Sequence, residues 1–250
     1  MRMYNAPATQ IMEGDFADRL TLVGENSECS FVQAERKMQL WKEQGKFTVF
    51  SFGGFDILTP NHIRGLVQSR AIGAMCMLGI QEVTTEKEYR QVHEVAASDE
   101  IRLMVSIDTN RTLEEGKSRN PDKGGAPKPT LDWRTRATMV ASQSIPAPDY
   151  GQRSNLADFI TRQGWECCDS CKTAACPNEW HTDIISGIQP NLVVVRDDLP
   201  KTISYLTERK SAGLLANTKV GLINEQEGAY TDPVLADTIS TTAMIRHIRS

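Results

Sequence analysis

Residues 50–66, FSFGGFDILTPNHIRGL, hold the residue types in this chain that are best suited to bind an anion. A short apolar stretch runs into Gly53 and Gly54, and a helix with Pro60 in its first turn follows. A Gly-Gly turn lets the backbone approach a polyphosphate closely, and a helix N-terminus offers free N–H groups and the positive end of its dipole. Since His62 falls near the first turn of that helix, the spacing predicts that a triphosphate is held there beside the imidazole.

A second group of reactive side chains lies in WECCDSCKTAACPNEWH, residues 165–181. Three thiols and an imidazole follow one another there as C-x2-C-x4-C-x4-H. Zinc prefers such sulfur and nitrogen sets, and four protein ligands leave no open position, so the predicted role is structural. The alternative is a loop whose thiols are free or oxidisable. The predicted zinc ligands are Cys168, Cys171, Cys176 and His181, with Cys167 as a substitute for Cys168 or His181.

The elements that must position these groups alternate between strands and helices, which predicts a parallel sheet covered on both faces. Strands are predicted at 46–52, 101–108, 156–160, 191–195 and 218–223, and helices at 31–45, 59–73, 86–98, 131–142, 200–213 and 240–248. Residues 114–130 are predicted to form a loop rich in positive charge. We divide the chain into an N-terminal arm and helix, residues 1–45, and a domain over 46–250. An insertion at about 143–182, which carries the cysteines, interrupts that domain.

The overall composition excludes several classes of function. The 250-residue chain has 32 acidic and 28 basic residues and a net charge of −4, so no positive field for nucleic acid covers its whole surface. The longest apolar run, residues 71–80, is half the length that a bilayer requires. Its N-terminus lacks the order of a secretion signal, which predicts a cytoplasmic protein with no membrane partner. In that reducing compartment, six cysteines are not expected to form disulfides.

Two segments resemble the signatures of the cytidylyltransferase-like nucleotidyltransferases. FGGFDILTPNHIRGL resembles the G-x-F-D…H-x-G-H motif that joins their first strand and helix, and ISTTAMIRHI at 239–248 is similar to the I-S-[ST]-T stretch that opens a late helix. WRTRA at 133–137 and QPNLVVVRDD at 189–198 resemble elements between the two. The resemblance covers roughly 46–142 and 183–250. The resemblance is strongest to the branch of the family that handles sugar or polyol phosphates, such as heptose-phosphate adenylyltransferases and glycerol-phosphate cytidylyltransferases.

The resemblance implies an α/β fold, a Rossmann-like doubly wound parallel sheet with a small Cys-rich insertion, and a set of site residues. Thr59 and Asn61 stand where the family motif has its first histidine and its glycine; a threonine hydroxyl donates one hydrogen bond but carries no charge. The catalytic residues that it implies are His62, Lys117 and Thr59, with Arg119 as a further basic group for the phosphates. The nucleotide-binding residues that it implies are Phe52, Gly53, Gly54, Phe55, Asp56, Asn61, His62, Ser240, Thr241, Thr242 and Arg246.

By this resemblance we expect transfer of a nucleotidyl group from ATP or CTP to a sugar or polyol phosphate, with Mg²⁺ bound alongside the nucleotide and release of pyrophosphate. Two alternatives stay open. One is adenylylation of a flavin or pantetheine precursor. The other is a non-catalytic nucleotide-binding or scaffold protein, which the replacement of the first histidine by Thr59 favours. Related enzymes are frequently dimers, so the resemblance allows a homodimer.

Overall fold

The structure, a computed structural model, describes residues 30–117, 129–146, 153–163, 181–196, 199–223, 229–231 and 238–240. Within these residues the helices are α1 (Ser30–Glu43), α2 (Pro60–Leu78), α3 (Glu86–Ala97), α4 (Asn110–Lys117), α5 (Trp133–Ala141), α6 (His181–Ile188) and α7 (Pro200–Ser211). The strands are β1 (Phe47–Gly53), β2 (Ile101–Asp108), β3 (Ser144–Pro146), β4 (Arg153–Asn155), β5 (Phe159–Gln163), β6 (Leu192–Arg196), β7 (Lys219–Ile223), β8 (Ala229–Thr231) and β9 (Thr238–Ser240).

The main sheet has the strand order β5-β2-β1-β6-β7-β8-β9. Its first five strands in that order are parallel, whereas β8 and β9 join one edge as antiparallel strands. When the parallel strands are numbered along the chain, they read third, second, first, fourth and fifth across the sheet. The order therefore reverses between β1 and β6, and in such sheets ligands bind outside the carboxyl ends of the strands at this point.

Helices cover both faces of the sheet, which confirms the predicted doubly wound α/β fold. On one face α2, α3 and α5 pack over the strands around a core that includes Val49, Leu103 and Ile72. On the other face α1, α6 and α7 surround Phe50 and Met104. The first layer is close-packed at Gly73, where an added Cβ would lie 2.7 Å from Cγ2 of Val49. This close approach joins the C-terminal half of α2 to the first half of β1.

The predicted elements differ from the observed ones mainly after β2. The strand predicted at 156–160 begins instead at Phe159, because the carboxylate of Asp158 accepts a hydrogen bond from the N–H of Leu103 before the ladder starts. Part of the predicted loop at 114–130 is helix α4. Its first turn is capped by Thr109, whose hydroxyl accepts from the N–H of Thr112 at 3.3 Å. Helix α6, which was not predicted, buries Ile184, Ile185 and Ile188 against the second face.

Two further predictions concern the insertion at 143–182 and the C-terminal segment. Strand β5 lies inside the range 143–182 that was predicted as an insertion, yet it pairs with β2 in the main sheet. The predicted cap of the final helix is Ser240 or Thr241; Ser240 is the last residue of β9, and residues 241–250 lie outside the described residues. In the part of the chain that the structure describes, none of the helices has both the length and the apolar character needed to span a membrane.

Candidate functional site

The turn after β1 has one residue in the left-handed region, and it is Phe55 rather than either glycine, with φ of 47°. Such a backbone costs a bulky L-residue about 1–2 kcal/mol, so its surroundings must hold it in place. The buried ring of Phe55 lies over Gly53, where an added Cβ would come within 3.2 Å of Cε2. The centroid of the same ring is 5.3 Å from that of His62. The strained turn therefore places an aromatic ring between the end of β1 and the predicted catalytic histidine.

The start of α2 is a capping box formed by Thr59 and His62. Thr59 is the N-cap in extended conformation, and its hydroxyl accepts from the N–H of His62 at 3.4 Å. In return, the N–H of Thr59 donates to Nδ1 of His62 at 3.1 Å. An amide N–H can only donate, so Nδ1 accepts and the neutral imidazole carries its proton on Nε2. The imidazole at the N-terminus of α2 is thus a hydrogen-bond donor through Nε2.

Asp56 ties this turn to the segment that leads into α5. One carboxylate oxygen, Oδ1, accepts from the N–H of Thr130 at 2.6 Å and from that of Leu131 at 3.2 Å. The other oxygen, Oδ2, accepts from the hydroxyl of Thr130 at 3.2 Å. The observed role of this carboxylate is therefore to join two loops, and its predicted contact with a nucleotide stays a prediction.

Arg136 holds the turn from the interior of the protein. Its side chain is fully buried and donates to the carbonyls of Gly54 and Leu131, and to Oδ1 of Asn110, at 2.5, 3.0 and 2.8 Å. Burial lowers the pKa of the guanidinium, while nearby carboxylates, Asp108 first among them, act in the opposite direction. Because the guanidinium satisfies carbonyls from the turn and from the loop before α5, Arg136 joins these two segments.

A group of polar side chains lies near the carboxyl ends of β2 and β5. Nε2 of Gln163 donates to Oδ1 of Asp108 at 2.7 Å, and the N–H of Thr109 donates to the carbonyl of Gln163 at 3.0 Å. Ser106 and Gln163 are 0% and 2% exposed, and among the described residues Oγ of the first and Oε1 of the second have no hydrogen-bond partner. We call Ser106, Asp108, Thr161 and Gln163 the polar strand ends, since they share one face of the sheet.

On the opposite face of the sheet, an aromatic ring from α5 and a cation from β5 lie beside the same strand ends. Nε1 of Trp133 donates to the carbonyl of Ile107 at 3.2 Å, which fixes the buried indole at the start of α5. The guanidinium of Arg162 lies 4.3 Å from the centroid of that indole ring. This arrangement holds a positive charge at the carboxyl end of β5.

The structure brings together part of the predicted site. Residues at the end of β1, in the turn and in the first turn of α2 form one continuous segment at the reversal of strand order: Phe52, Gly53, Gly54, Phe55, Asp56, Thr59, Asn61 and His62. Lys117 is the last residue of α4 rather than a loop residue, and only its backbone is described. Ser240 ends β9, from which β1 is separated by β6, β7 and β8. Whether Ser240 and His62 meet around one nucleotide therefore stays a prediction.

Several predicted residues lie outside the described part of the chain: Arg119, Cys167, Cys168, Cys171, Cys176, Thr241, Thr242 and Arg246. His181 begins α6, and nothing beyond its backbone is described. Among the described residues, no group of three or more His, Cys, Asp or Glu side chains is arranged to hold a metal ion. The zinc prediction is accordingly untested.

Two groups at the site were not predicted. Arg136 belongs to the WRTRA stretch, but nothing in that stretch indicates that its partner is Gly54, 82 residues away. Gln163 lies beyond the strand predicted at 156–160, and its position depends on the pairing of β5 with β2. A signal was available for Thr59, because Thr-Pro with a polar side chain three residues later is the pattern of a capped helix start.

Comparison with known proteins gives one similarity and one negative result. No model of a protein family matches the chain. The chain is 27% identical over 137 residues to a bifunctional protein HldE of Syntrophotalea carbinolica. The match covers 49% of this chain and 26% of that protein, so about half of the chain is similar to about a quarter of its relative. At this identity and coverage, the similarity gives general support to the cytidylyltransferase-like family.

Proposed function

We propose that this protein is a nucleotidyltransferase that transfers the nucleotidyl group of ATP or CTP to a sugar or polyol phosphate and releases pyrophosphate. The observation that carries the proposal is the position of the His62 imidazole at the N-terminus of α2, where its Nδ1 accepts from the N–H of Thr59. This helix starts at the carboxyl end of β1, where the strand order reverses. The distant similarity to an HldE protein supports the same family.

The reaction that we propose is a direct displacement at phosphorus. A phosphate oxygen of the acceptor forms a bond to the α-phosphorus of the nucleotide. The bond from that phosphorus to the oxygen bridging to the β-phosphate breaks, and pyrophosphate leaves with the electron pair. No covalent enzyme intermediate is required. When bound with the nucleotide, Mg²⁺ would neutralise part of the phosphate charge.

The residues of this chain supply positioning and charge in the proposed reaction. Nε2–H of His62 donates to a phosphate oxygen on which charge develops, and the positive end of the α2 dipole favours the same phosphates. Lys117 is proposed to contact the phosphates from the end of α4, and Ser240, Thr241, Thr242 and Arg246 to contact the nucleotide. One well-placed donor of this kind is worth about 3 kcal/mol in the transition state, or roughly a hundredfold in kcat.

We place the hydroxyl groups of the acceptor at the polar strand ends. Among the polar strand ends, Asp108 is the half-buried one; its carboxylate accepts from Nε2 of Gln163 and can accept from a ligand hydroxyl as well. The carboxylate of Asp108 adds negative charge, which suits a hydroxyl and repels a phosphate. These contacts favour a sugar or polyol phosphate over a flavin precursor, whose extended apolar ring would leave such groups unsatisfied.

One assay tests the proposal and separates it from its alternatives. Pyrophosphate release is measured with ATP and with CTP against sugar phosphates, glycerol 3-phosphate, a flavin phosphate and a pantetheine phosphate. We expect turnover with a sugar or polyol phosphate, and a loss of about a hundredfold in His62→Gln. His93→Gln is the matched control, because His93 lies on α3 away from the turn and pairs with Tyr89. Turnover that His62→Gln leaves unchanged would contradict the site.

A separate variant tests where the acceptor binds. Gln163→Met removes the amide but keeps a similar volume, so we expect KM for the acceptor to rise about tenfold while KM for the nucleotide stays constant. Gln143→Met is the control, since that glutamine bonds to Met139 and Ser142 at the end of α5. Equal effects of the two variants would contradict the placement of the acceptor.

The rival from another class is a nucleotide-binding protein without catalysis, and Thr59 is the residue that favours it. That reading predicts nucleotide binding that His62→Gln weakens, together with no pyrophosphate release from any acceptor in the panel. The proposed zinc loop would then be an interaction surface. A homodimer is compatible with either function.

A further inference from the structure

We propose that Thr59 is a positioning residue whose task is to hold His62 as the Nε2–H tautomer with its ring fixed at the start of α2. The inference rests on the proposed function of His62 as a donor to phosphate. On this view, threonine has not simply replaced a lost catalytic histidine. It performs a different task at the same position of the motif.

Three hydrogen bonds join the two residues, and two of them end on Nδ1 of His62. The N–H of Thr59 donates to Nδ1 at 3.1 Å, and Oγ1 of Thr59 lies 3.1 Å from the same nitrogen. That oxygen accepts from the N–H of His62, and its own proton can be donated to Nδ1. The N–H of Thr59 requires an unprotonated Nδ1, and the hydroxyl adds a second donor to that form. A tautomer with the proton on Nδ1 would place that proton against the N–H of Thr59.

The backbone around Thr59 prepares it for this task. The next residue, Pro60, is the first of α2 and disfavours the helical region for the residue before it. Thr59 accordingly has φ of −101° and ψ of 162°, which is the extended conformation of an N-cap. The hydroxyl and the N–H of Thr59 are thus both directed at the first turn of the helix before any ligand arrives.

The opposite side of the imidazole is held by an aromatic ring. The ring of Phe55 lies 5.3 Å from that of His62 at an interplanar angle of 55°. Phe55 is itself fixed, because it is buried and its turn is bonded to Arg136 through Gly54. Contacts from Thr59 at one edge and Phe55 on another side restrict the rotation of the imidazole. A pre-oriented donor needs little reorganisation when charge develops on the phosphate.

A histidine in place of Thr59 would not perform this role. Its side chain is a poor N-cap compared with threonine, and it offers no hydroxyl that donates to Nδ1 while accepting from the helix. A serine would preserve both hydrogen bonds of the hydroxyl. A valine would preserve the branched shape and remove only the hydroxyl. These three substitutions therefore separate positioning by the hydroxyl from a decayed catalytic position.

The direct readout is the protonation of the His62 ring, measured by proton–nitrogen correlation NMR on protein with labelled histidine. The sequence has four histidines, and His62→Gln assigns the signal. We expect the Nε2–H form alone in the wild-type protein and in Thr59→Ser. Thr59→Val keeps the backbone N–H donor but loses the hydroxyl that donates to Nδ1, so the preference for the Nε2–H form weakens. We expect a mixture of tautomers and a fall of about tenfold in kcat, with KM for the nucleotide nearly unchanged. Thr59→Ala replaces Thr59→Val if the valine variant does not fold.

Helix α3 provides a matched control for the loss of a cap. Thr85 caps α3 in the same way, with its hydroxyl accepting from the N–H of Glu88 at 3.2 Å. Thr85→Val should lower stability by an amount similar to that for Thr59→Val. It should leave the tautomer of His62 and the turnover unchanged.

Two results would overturn the inference: a proton on Nδ1 of His62 in the wild-type protein, or an unchanged His62 spectrum in Thr59→Val. An increase of turnover in Thr59→His would also contradict it, since that result identifies a decayed catalytic position. Failure of the proposed function looks different. If the spectra behave as expected but no acceptor yields pyrophosphate, Thr59 still positions His62 and the transferase assignment is wrong.

Discussion

The guanidinium of Arg136 and the carbonyl of Gly54 are joined by a 2.5 Å hydrogen bond across 82 residues of sequence. The same guanidinium bonds to Leu131 and Asn110, so one buried side chain connects β1, α4 and the start of α5. The strained residue Phe55 follows Gly54 directly. The bond therefore holds the turn on which the position of His62 depends.

Replacing Arg136 by lysine should destabilise the protein and weaken nucleotide binding together. Lysine keeps the charge but reaches fewer of the three acceptors, so at least one buried carbonyl loses its donor. We expect the free energy of unfolding to fall by about 3 kcal/mol, measured by urea denaturation. Arg134→Lys on the exposed side of the same helix is the control and should change it by less than about 0.5 kcal/mol. Equal losses in the two variants would contradict the role of Arg136.

The N-cap of α5 predicts a dependence of stability on pH. The hydroxyl and the N–H of Thr135 donate to Asp132, which lowers the pKa of that carboxyl. Because the folded pKa lies below the unfolded one, the stabilisation is fully present above about pH 4 and is lost as the pH falls through the folded pKa.

Asp132→Asn isolates this contribution, because asparagine caps a helix about as well as aspartate but does not titrate. The free energy of unfolding of both proteins is measured from pH 7 down to pH 3. We expect the difference between them to shrink in acid. A difference that stays constant over this range would show that ionisation of Asp132 contributes nothing.

A buried ion pair at the amino ends of the strands should matter for stability and not for the site. Nη1 of Arg70 lies 2.6 Å from Oδ2 of Asp158, and the two side chains are 1% and 9% exposed. The guanidinium also donates to the carbonyls of Ala96, Ser98 and Ile101. Removing one partner leaves an uncompensated buried charge, so Asp158→Asn should cost about 3–5 kcal/mol.

The exposed pair of Arg90 and Glu86 on α3 is the comparison for this prediction. Arg90→Gln should cost less than about 0.5 kcal/mol, since water screens such a pair. Under conditions where Asp158→Asn remains folded, its affinity for the nucleotide should equal that of the wild type. A selective loss of affinity would place this network in the functional machinery.

The proposed zinc loop is tested by metal content. Purified protein should contain about one zinc ion per chain, and Cys171→Ser should lose most of it. Cys29→Ser is the control, because Cys29 is distant in sequence from the cluster. Removal of zinc with a chelator should lower the thermal midpoint of the wild type and have little effect on Cys171→Ser. If the purified wild-type protein contains no zinc, or if the chelator leaves its thermal midpoint unchanged, the prediction is wrong.

The elements that were predicted well have strong local patterns. Strand β2 was predicted with its observed bounds, since IRLMVSID is β-rich and buried along its length. Helix α3 was predicted to within one residue, since Thr85 and Glu88 mark its start. Helix α4 was missed because it is eight residues long and, among its described side chains, only Leu113 is buried in the core. For so short a helix, propensity is marginal and packing decides.

The sequence by itself determined the chemistry that consecutive residues carry. Gly53 and Gly54 after an apolar strand, Pro60 in the first turn of a helix and His62 beside it specify a helix start that can bind an anion. Only the tertiary structure decided that Arg136 holds Gly54, that Asp56 holds Thr130, and that Ser106 and Gln163 end on adjacent strands. The physical reason is that local structure follows from neighbouring residues, whereas contacts between distant residues depend on the order and register of the strands.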